Sequence, residues 1–334
     1  MPIGLVMMGG MKAVLCTHFG TANELELKDI PPPVAGPGEA LVRVRAAALN
    51  FFDTLIIAGK YQQKPPFPFS PAAEFAGVVE SVGDGVTDVA PGDRVMGFLG
   101  WGAAREYVTV PAQRLVKLPE KLDFEHAAAL TVTYGTSLYA LRERAQLKPG
   151  ETLAVLGASG GTGLAAIEIG KLMGARVIAC ASSDEKLAVA REHGADETVN
   201  YAGENLRDAL RRLGGEHGID VVYDPVGGPY AEPAVRSLAW LGRYLVVGFT
   251  AGEIPNLPLN LVLLKSCDIR GVFWGSWGKR EPQALRALLT DIVRWCAEGK
   301  LKVHVHAVYP LAEIVTALGV IADRKVIGKI VLRL

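Results

Sequence analysis

The sequence predicts an α/β protein in which a β-rich domain is followed by a doubly wound parallel sheet. Its 334 residues are enough for two domains of ordinary size, and half of them are hydrophobic, so both domains can form sizeable cores. Residues 11–119 consist of short alternating segments broken by Gly and Pro, a pattern typical of irregular β-structure. After about residue 134, strand-like runs alternate with helical stretches, which is the pattern of a parallel sheet covered by helices.

The β-rich domain has recognisable strands and one helix. Alternating residues at 41–45 and 106–110 predict strands, and the stretch 92–98 predicts a turn leading into another strand. A helix is expected at 50–58, where apolar residues share one face before Gly59 ends the element.

The second domain is expected to contain six strands, the content of a doubly wound sheet. These strands are predicted at residues 152–157, 176–181, 198–200, 220–224, 243–248 and 268–274. After Trp277 come a long helical pattern at 281–298 and shorter patterns up to residue 332, which we expect to return to the first domain. The predicted division is residues 1–133 with 276–334 for the β-rich domain, and 134–275 for the parallel-sheet domain.

Charge and cysteine content argue against several classes of protein. Lys plus Arg equal Asp plus Glu at 35 each, so no net charge favours nucleic acid or an anionic membrane as partner. The four cysteines are scattered without a C-x-x-C pair, which disfavours a disulfide framework or a clustered zinc site and fits a reducing cytoplasm. Residues 1–10 lack a basic region and make a poor signal peptide, so an extended start is expected there. No run is long enough for a membrane helix.

A glycine-rich turn follows the first strand of the second domain. The apolar run 153–156 leads into Gly157, and Gly160, Gly161 and Gly163 then form a G-G-x-G pattern at the start of a helix. Such a turn lets the backbone approach a dinucleotide diphosphate, which the helix N-terminus attracts. We therefore assign to cofactor binding the residues Ser159, Gly160, Gly161, Thr162 and Gly163. The alternative is a plain strand-turn-helix bend, since Ala158 replaces the first glycine of the usual pattern.

The end of the second strand indicates which cofactor is bound. Sites for NAD carry an acidic residue there that binds the ribose 2′-hydroxyl. This chain has Ser182 and Ser183 instead, with Lys186 one turn further on, and such a group suits the 2′-phosphate of NADPH. In the alternative interpretation, Ser182 and Glu185 form a helix capping box, Lys186 is solvated, and Asp184 reaches a ribose.

Several further motifs resemble those of the medium-chain dehydrogenase/reductase superfamily, and the match covers nearly the whole chain. The residues that carry the resemblance are Ala48-Leu49-Asn50-Phe51-Phe52-Asp53, Gly59-Lys60-Tyr61, Pro65-Pro66-Phe67-Pro68-Phe69, Glu74-Phe75-Ala76-Gly77, Val132-Thr133-Tyr134-Gly135-Thr136, Val199-Asn200-Tyr201 and Gly328-Lys329-Ile330-Val331-Leu332. More narrowly, the chain resembles the zinc-free quinone oxidoreductases and their quinone oxidoreductase-like branch. The resemblance implies a GroES-like catalytic domain, a Rossmann cofactor domain and a homodimer joined through the cofactor domains.

The superfamily also includes zinc alcohol dehydrogenases, whose ligand pattern is missing here. Asn50 or Phe51 stands near the first cysteine position, Ala73-Glu74 replaces a His-Glu pair, and no cysteine follows the third cofactor-domain strand. A lone Glu74 does not complete a tetrahedral zinc site. His304 and His306 alternate along one predicted strand, where we expect surface or packed histidines. We therefore expect no metal.

The resemblance implies roles for residues of a substrate and nicotinamide cleft. Asn50 and Tyr61 would surround it, with Tyr61 as a possible donor to the developing oxyanion, and Asp53 would fix the loop. Thr133 would lie beside the nicotinamide. The alternatives are that Tyr61 is a packed aromatic residue and that Thr133 is a buried residue bonded to its own helix.

Other residues are assigned to the cofactor. The resemblance places Tyr201 with Lys186 beside the 2′-phosphate, and Lys329 near the nicotinamide unless it is solvated. Gly248 and Phe249, like Phe273 and Trp274, follow late strands and so belong to the carboxyl edge of the sheet, although such aromatic residues are often core.

Together these features predict a zinc-independent, NADPH-dependent reductase of quinones or other α,β-unsaturated carbonyl compounds. One alternative is an enoyl-thioester reductase, which needs a basic entrance for coenzyme A phosphates. Arg43, Arg45 and Lys60 lie near the cleft segments in sequence but form no dense cluster. Another alternative is an NADPH-binding protein without turnover, used as a structural or interaction module.

Overall fold

The computed structural model describes residues 10–334, so the extended start expected for residues 1–10 falls, except for Gly10, outside the described part of the chain. Within it the chain forms fifteen strands: β1 (Met11–Leu15), β2 (Glu26–Ile30), β3 (Glu39–Leu49), β4 (Glu74–Val82), β5 (Arg94–Phe98), β6 (Tyr107–Pro111), β7 (Val116–Lys117), β8 (Thr152–Leu156), β9 (Arg176–Ala181), β10 (Glu197–Asn200), β11 (Ile219–Asp224), β12 (Leu238–Val246), β13 (Asp268–Gly271), β14 (Val305–Pro310) and β15 (Lys329–Arg333).

The same residues form eleven α-helices: α1 (Phe51–Ile57), α2 (Phe124–Ala128), α3 (Thr131–Leu138), α4 (Gly161–Leu172), α5 (Asp184–Glu192), α6 (Leu206–Gly214), α7 (Ala231–Arg236), α8 (Leu259–Lys265), α9 (Trp274–Arg280), α10 (Pro282–Ala297) and α11 (Ile314–Ala322). Helix α3 continues directly into a π-helical segment, Tyr139–Ala145. None of the helices in residues 10–334 combines the length and the apolar character needed to cross a bilayer.

The chain divides into two compact units, and the first contains residues up to Thr131 together with Val305–Leu334. Its main sheet has the order β14-β15-β3-β4-β5-β7, and β6 pairs with β3. Strand β15 lies antiparallel to β3, so the C-terminal strands complete the sheet that the N-terminal half begins. The core beneath it holds buried residues of both chain segments, among them Val42, Phe75, Leu318 and Leu332.

The second unit, Val132–His304, is built on a six-stranded parallel sheet of order β10-β9-β8-β11-β12-β13. All of its strand pairings are parallel, which confirms the predicted doubly wound class. The apolar runs predicted its strands well, except that β12 begins at Leu238 and β13 ends at Gly271.

The boundary between the two units differs from the one that we expected from the sequence. We expected the second domain to end at residue 275, whereas residues 276–304 belong to the second unit. Helix α10 buries Leu288 and Ile292, and its Asp291 accepts a hydrogen bond from Arg142 (3.1 Å). Periodicity identifies an apolar helix face but not the domain that covers it.

Candidate functional site

The glycine-rich turn lies at the topological switch point of the parallel sheet. Strand β8 is flanked by β9 on one side and β11 on the other, and the turn follows its carboxyl end. Crevices at such points are where open α/β sheets bind ligands. The position therefore favours a binding site over a plain bend.

Helix α4 starts directly at this turn without a side-chain cap. Gly160 is its N-cap, and no side chain accepts a hydrogen bond there. The first N–H groups of a helix lack intrahelical acceptors and attract negative charge. These amide groups of α4 thus have the chemistry that a diphosphate requires.

Gly163 shows why the turn excludes larger residues. A Cβ atom at this position would lie 2.3 Å from the Gly157 carbonyl oxygen and 2.8 Å from Ala158 Cα. Gly157 itself has φ +58°, a left-handed conformation suited to glycine. The backbone here is packed as closely as a dinucleotide turn needs, so the turn fits the diphosphate of a dinucleotide.

Polar side chains gather at the end of β9, where the adenosine 2′ position was predicted. Ser183 caps α5, its Oγ accepting from the Lys186 amide (3.4 Å), and Lys186 Nζ donates to Ser182 Oγ (3.3 Å). The capping box considered for Ser182 and Glu185 is therefore wrong, because the cap is one residue later. The two hydroxyls and the ammonium group do lie together.

Tyr201 lies beside the two serines and Lys186, whereas Asp184 is hydrogen-bonded to a different residue. Burial raises the pKa of Tyr201 to about 12, opposed by a hydrogen bond with Ser182, and its ring lies 4.4 Å from that of Tyr230. The exposed Asp184 accepts a hydrogen bond from Asn200 Nδ2 (2.9 Å). Ser182 is thus the common neighbour of Lys186 and Tyr201.

Asp224 shapes the loop after β11, and sequence reasoning did not assign it a role. Its buried carboxylate accepts from the amides of Val226 (2.6 Å) and Gly227 (2.8 Å) and from the Tyr244 hydroxyl. Burial raises its pKa, while these hydrogen bonds lower it. An acidic residue directly before Pro-Val-Gly-Gly was the available signal for a carboxylate that organises a turn.

The predicted residues of the late strands occupy different surroundings. The Phe249 ring is so close to Gly227 that a Cβ there would lie 2.8 Å from Phe249 Cδ1, and the Gly248 amide donates to the Asp224 carbonyl (3.3 Å). Phe273 is exposed, whereas Trp274 is buried against Gly135 of α3.

Thr133 also lies in helix α3, with its side chain buried. Its predicted place beside the nicotinamide stays a prediction.

A buried cluster in the first unit contains Asn50, Glu74 and Lys329. Lys329 Nζ donates to the Leu49 carbonyl (2.8 Å), Asn50 Oδ1 (2.6 Å) and Glu74 Oε1 (2.9 Å). Asn50 Nδ2 also donates to Glu74 Oε1 (2.9 Å). Lys329 is 4 % exposed and Glu74 0 %, so the alternative that Lys329 is solvated is wrong.

This cluster fixes the orientation of the Asn50 amide. Its oxygen faces an ammonium and its nitrogen a carboxylate, and within residues 10–334 one N–H of the amide nitrogen is left for another acceptor. Glu74, which we considered only as a lone metal ligand, was the missed member. Its signal was a single carboxylate in the apolar run Ala72–Val79, which requires a buried partner.

Asp53 is held beside the cluster in the first turn of α1. It is 1 % exposed, and its Oδ2 accepts from the backbone N–H of Asn50 (2.7 Å). Burial raises its pKa to about 7, opposed by the Asn50 hydrogen bond and by the charge of Lys329. A carboxyl group that titrates near neutrality is typical of functional sites.

Tyr61 is half-buried, and its ring stacks on Phe52 at 5.4 Å between centroids. Burial, together with the negative charge of Asp53, raises the pKa of its hydroxyl. The phenol therefore stays protonated at neutral pH and can donate a hydrogen bond.

The two histidines that we expected to alternate along one strand have separate environments, and His304 lies just before β14. His304 packs against His193 at 5.7 Å between ring centroids, and His306 Nδ1 accepts from the Ile327 amide (3.4 Å). Across residues 10–334, no group of three or more His, Cys, Asp or Glu side chains is arranged to hold a metal ion.

Comparison with known proteins agrees with both halves of the architecture. Residues 36–120 match the alcohol dehydrogenase GroES-like domain, and residues 161–290 match the zinc-binding dehydrogenase family. Quinone oxidoreductase-like protein 2 of Rattus norvegicus is 38% identical over 324 residues, covering 97% of this chain and 92% of the relative.

Two crystal structures show the same fold over almost the full length. The quinone oxidoreductase of Pseudomonas syringae pv. Tomato DC3000 has a TM-score of 0.91 at 34% identity, covering 97% of this chain and 100% of that chain. Escherichia coli quinone oxidoreductase complexed with NADPH has a TM-score of 0.88 at 28% identity, covering 98% and 100%. The chain therefore belongs to the medium-chain dehydrogenase/reductase superfamily, in its quinone oxidoreductase-like branch.

Proposed function

We propose that this protein is a zinc-independent, NADPH-dependent reductase that delivers hydride to a quinone or another α,β-unsaturated carbonyl compound. The observation that carries the proposal is the uncapped glycine turn at the switch point of the sheet. A related quinone oxidoreductase has been crystallised with NADPH, which supports the same cofactor here.

The choice of NADPH over NADH rests on the end of β9. Ser182 and Lys186 meet there, and Tyr201 lies beside Ser182. A hydroxyl, an ammonium group and a helix N-terminus all favour the additional phosphate of NADPH. The one acidic side chain in the first turn that we considered for a ribose, Asp184, is bonded to Asn200.

The proposed chemistry needs one hydride and one proton, with stabilisation of charge on the acceptor oxygen. Bound NADPH supplies the hydride to the conjugated carbon or to the quinone. The neutral Tyr61 hydroxyl donates a hydrogen bond to the oxygen that gains charge, and the remaining Asn50 amide proton orients the acceptor. Water supplies the proton that this oxygen takes up. Thr133 is proposed to bind the nicotinamide side of the cofactor.

Lys329 and Glu74 act in this proposal by holding Asn50. Their contacts define which face of the amide carries its free N–H. The Glu74 oxygen already accepts from Lys329 and Asn50, and this arrangement supports chemistry that uses side-chain hydrogen bonds in place of a metal ion.

We also propose a homodimer formed through the second unit. Strand β13 is the edge of the parallel sheet, where another strand could pair, and Leu259 and Leu263 on α8 are exposed. Light scattering after gel filtration should give twice the chain mass, and Leu263→Glu should reduce it to the monomer. A monomeric wild-type protein would contradict this part of the proposal.

Turnover is tested by mixing EDTA-treated protein with NADPH and a panel of acceptors and following nicotinamide absorbance. The panel contains benzoquinones, an enone, an enoyl-coenzyme A thioester and a saturated ketone. Oxidation of NADPH with quinone or enone, and not with the ketone, is expected. Absence of oxidation with every acceptor would leave a cofactor-binding protein without turnover, and loss of activity with EDTA would contradict metal independence.

A further inference from the structure

The second unit contains a cavity at the edge of its sheet opposite to the glycine turn. Its lining includes Gly218, which precedes β11, and Ser237 and Leu238 at the start of β12. These positions mark the amino-terminal edge of the parallel strands, whereas the glycine turn follows a carboxyl end. The cavity of about 620 Å³ is therefore separate from the edge of the sheet at which the proposed reductase chemistry takes place.

Four cationic side chains line this cavity from three different helices. They are Arg207 and Arg211 of α6, Arg236 of α7 and Lys265 of α8. We call these four residues, together with Trp240, the basic groove. Convergence from three elements distinguishes it from a charged stripe along one exposed helix face.

The cations of the basic groove are only partly neutralised. Within residues 10–334, Arg207 and Arg211 form no ion pair, and Lys265 Nζ donates to the Leu238 carbonyl (2.6 Å). Arg236 is paired with Glu232 on its own helix (2.6 Å). Glu216 is the acidic residue in the lining. Two like charges one helical turn apart disfavour the helix unless an anion lies between them.

Trp240 adds an aromatic surface to these charges. Its side chain is 66 % exposed and follows the start of β12. The next residue, Leu241, has φ +60°, a left-handed conformation that is unusual for a leucine, and the pairing of β12 with β11 is irregular at this point. Exposed indole rings beside cations are suited to stacking on a nucleobase whose phosphates the cations bind.

We propose that the basic groove binds a nucleoside phosphate at a site separate from the cofactor turn. Arg207 and Arg211 bind phosphate oxygens through their guanidinium forks, Lys265 adds a third charge, and Trp240 stacks on the base. The cavity volume lies in the range of small-molecule sites. This inference goes beyond the proposed reductase function and does not depend on it.

The test measures ADP binding by calorimetry to full-length protein already saturated with NADPH, because free ADP would also enter the cofactor site. We expect one ADP to bind per chain, in addition to the NADPH already bound. The double variant Arg207→Gln and Arg211→Gln should weaken it at least about tenfold, and Trp240→Ala should weaken it as well. NADPH affinity should stay unchanged in both variants.

Arg212→Gln is the matched control, since this arginine lies on the same helix but pairs with Glu204 (3.0 Å) and does not line the cavity. It should bind ADP as the wild type does. Absence of ADP binding to the NADPH-saturated protein, or equal binding by the double variant, would overturn the proposal. Inorganic pyrophosphate binding as tightly as ADP would overturn the nucleoside part of it. Because NADPH affinity is measured separately, failure here is distinguishable from failure of the reductase function.

Discussion

Removing the Glu74 carboxylate is expected to destabilise the first unit strongly. Glu74→Ala leaves the Lys329 ammonium buried with two neutral oxygens, of Leu49 and Asn50, as its remaining acceptors. Breaking a buried ion pair by removing one partner costs about 3–5 kcal/mol. Glu74→Gln retains an oxygen at the position of Oε1 and should cost less.

The pairing itself is measured by a double-mutant cycle. Replacing both groups by apolar residues of similar size, with Glu74→Leu and Lys329→Met, removes the unpaired charge that each single change leaves. The double variant should therefore be more stable than the sum of the single losses predicts, by at least about 1 kcal/mol.

Urea unfolding at constant pH gives the free energies, and hydrogen exchange of β3 and β15 assigns the losses to the first unit. The matched control is Glu125→Ala, since Glu125 pairs with the exposed side chain of Arg333 and should cost less than about 1 kcal/mol. A loss below about 1 kcal/mol for Glu74→Ala, or strictly additive losses in the cycle, would refute the reasoning.

Three further changes test the site. Asp53 has a folded pKa of about 7 against an ordinary 3.8, so its ionisation destabilises the fold as pH rises between these values. Relative to Asp53→Asn, the wild type should lose up to about 4 kcal/mol of unfolding free energy from pH 4 to 7. Parallel pH profiles for the two proteins would argue against this. Gly163→Ala should abolish NADPH binding because its Cβ meets the Gly157 carbonyl at 2.3 Å, whereas Gly275→Ala, with no atom within 4 Å of its added Cβ, should bind normally in the same titration. Tyr61→Phe should lower kcat about 10²-fold with NADPH affinity unchanged, and full activity would exclude the hydroxyl as donor.

Local patterns predicted the parallel sheet because each buried strand is a short apolar run with a fixed position relative to its turns. The run before Gly157 and the glycines after it define β8 and the start of α4 without any information from distant residues. The polar group at the end of β9 was predictable for the same reason, because Ser182 and Lys186 are four residues apart. The alternative capping box was placed one residue too early in α5 because Ser182 and Ser183 are adjacent and either hydroxyl can cap a helix.

Contacts between distant segments were beyond such reasoning. Lys329 and Glu74 are separated by 255 positions, and nothing in either local pattern indicates the other. We expected α10 in the first domain, and it lies in the second unit, because the apolar face of a helix does not specify which core covers it. The buried carboxylate of Glu74 in an apolar strand was a signal that some cation would be found beside it.

The measurement that tests the central claim most directly is the comparison of NADPH and NADH affinities in wild type and in Lys186→Ala. Lys186 and the two serines should favour NADPH at least about tenfold, which corresponds to about 1.4 kcal/mol. Lys186→Ala should weaken NADPH binding by a similar factor and leave NADH binding unchanged. Equal affinities for the two cofactors in the wild type, or equal weakening of both in the variant, would contradict the assignment of the glycine turn and the end of β9 as an NADPH site.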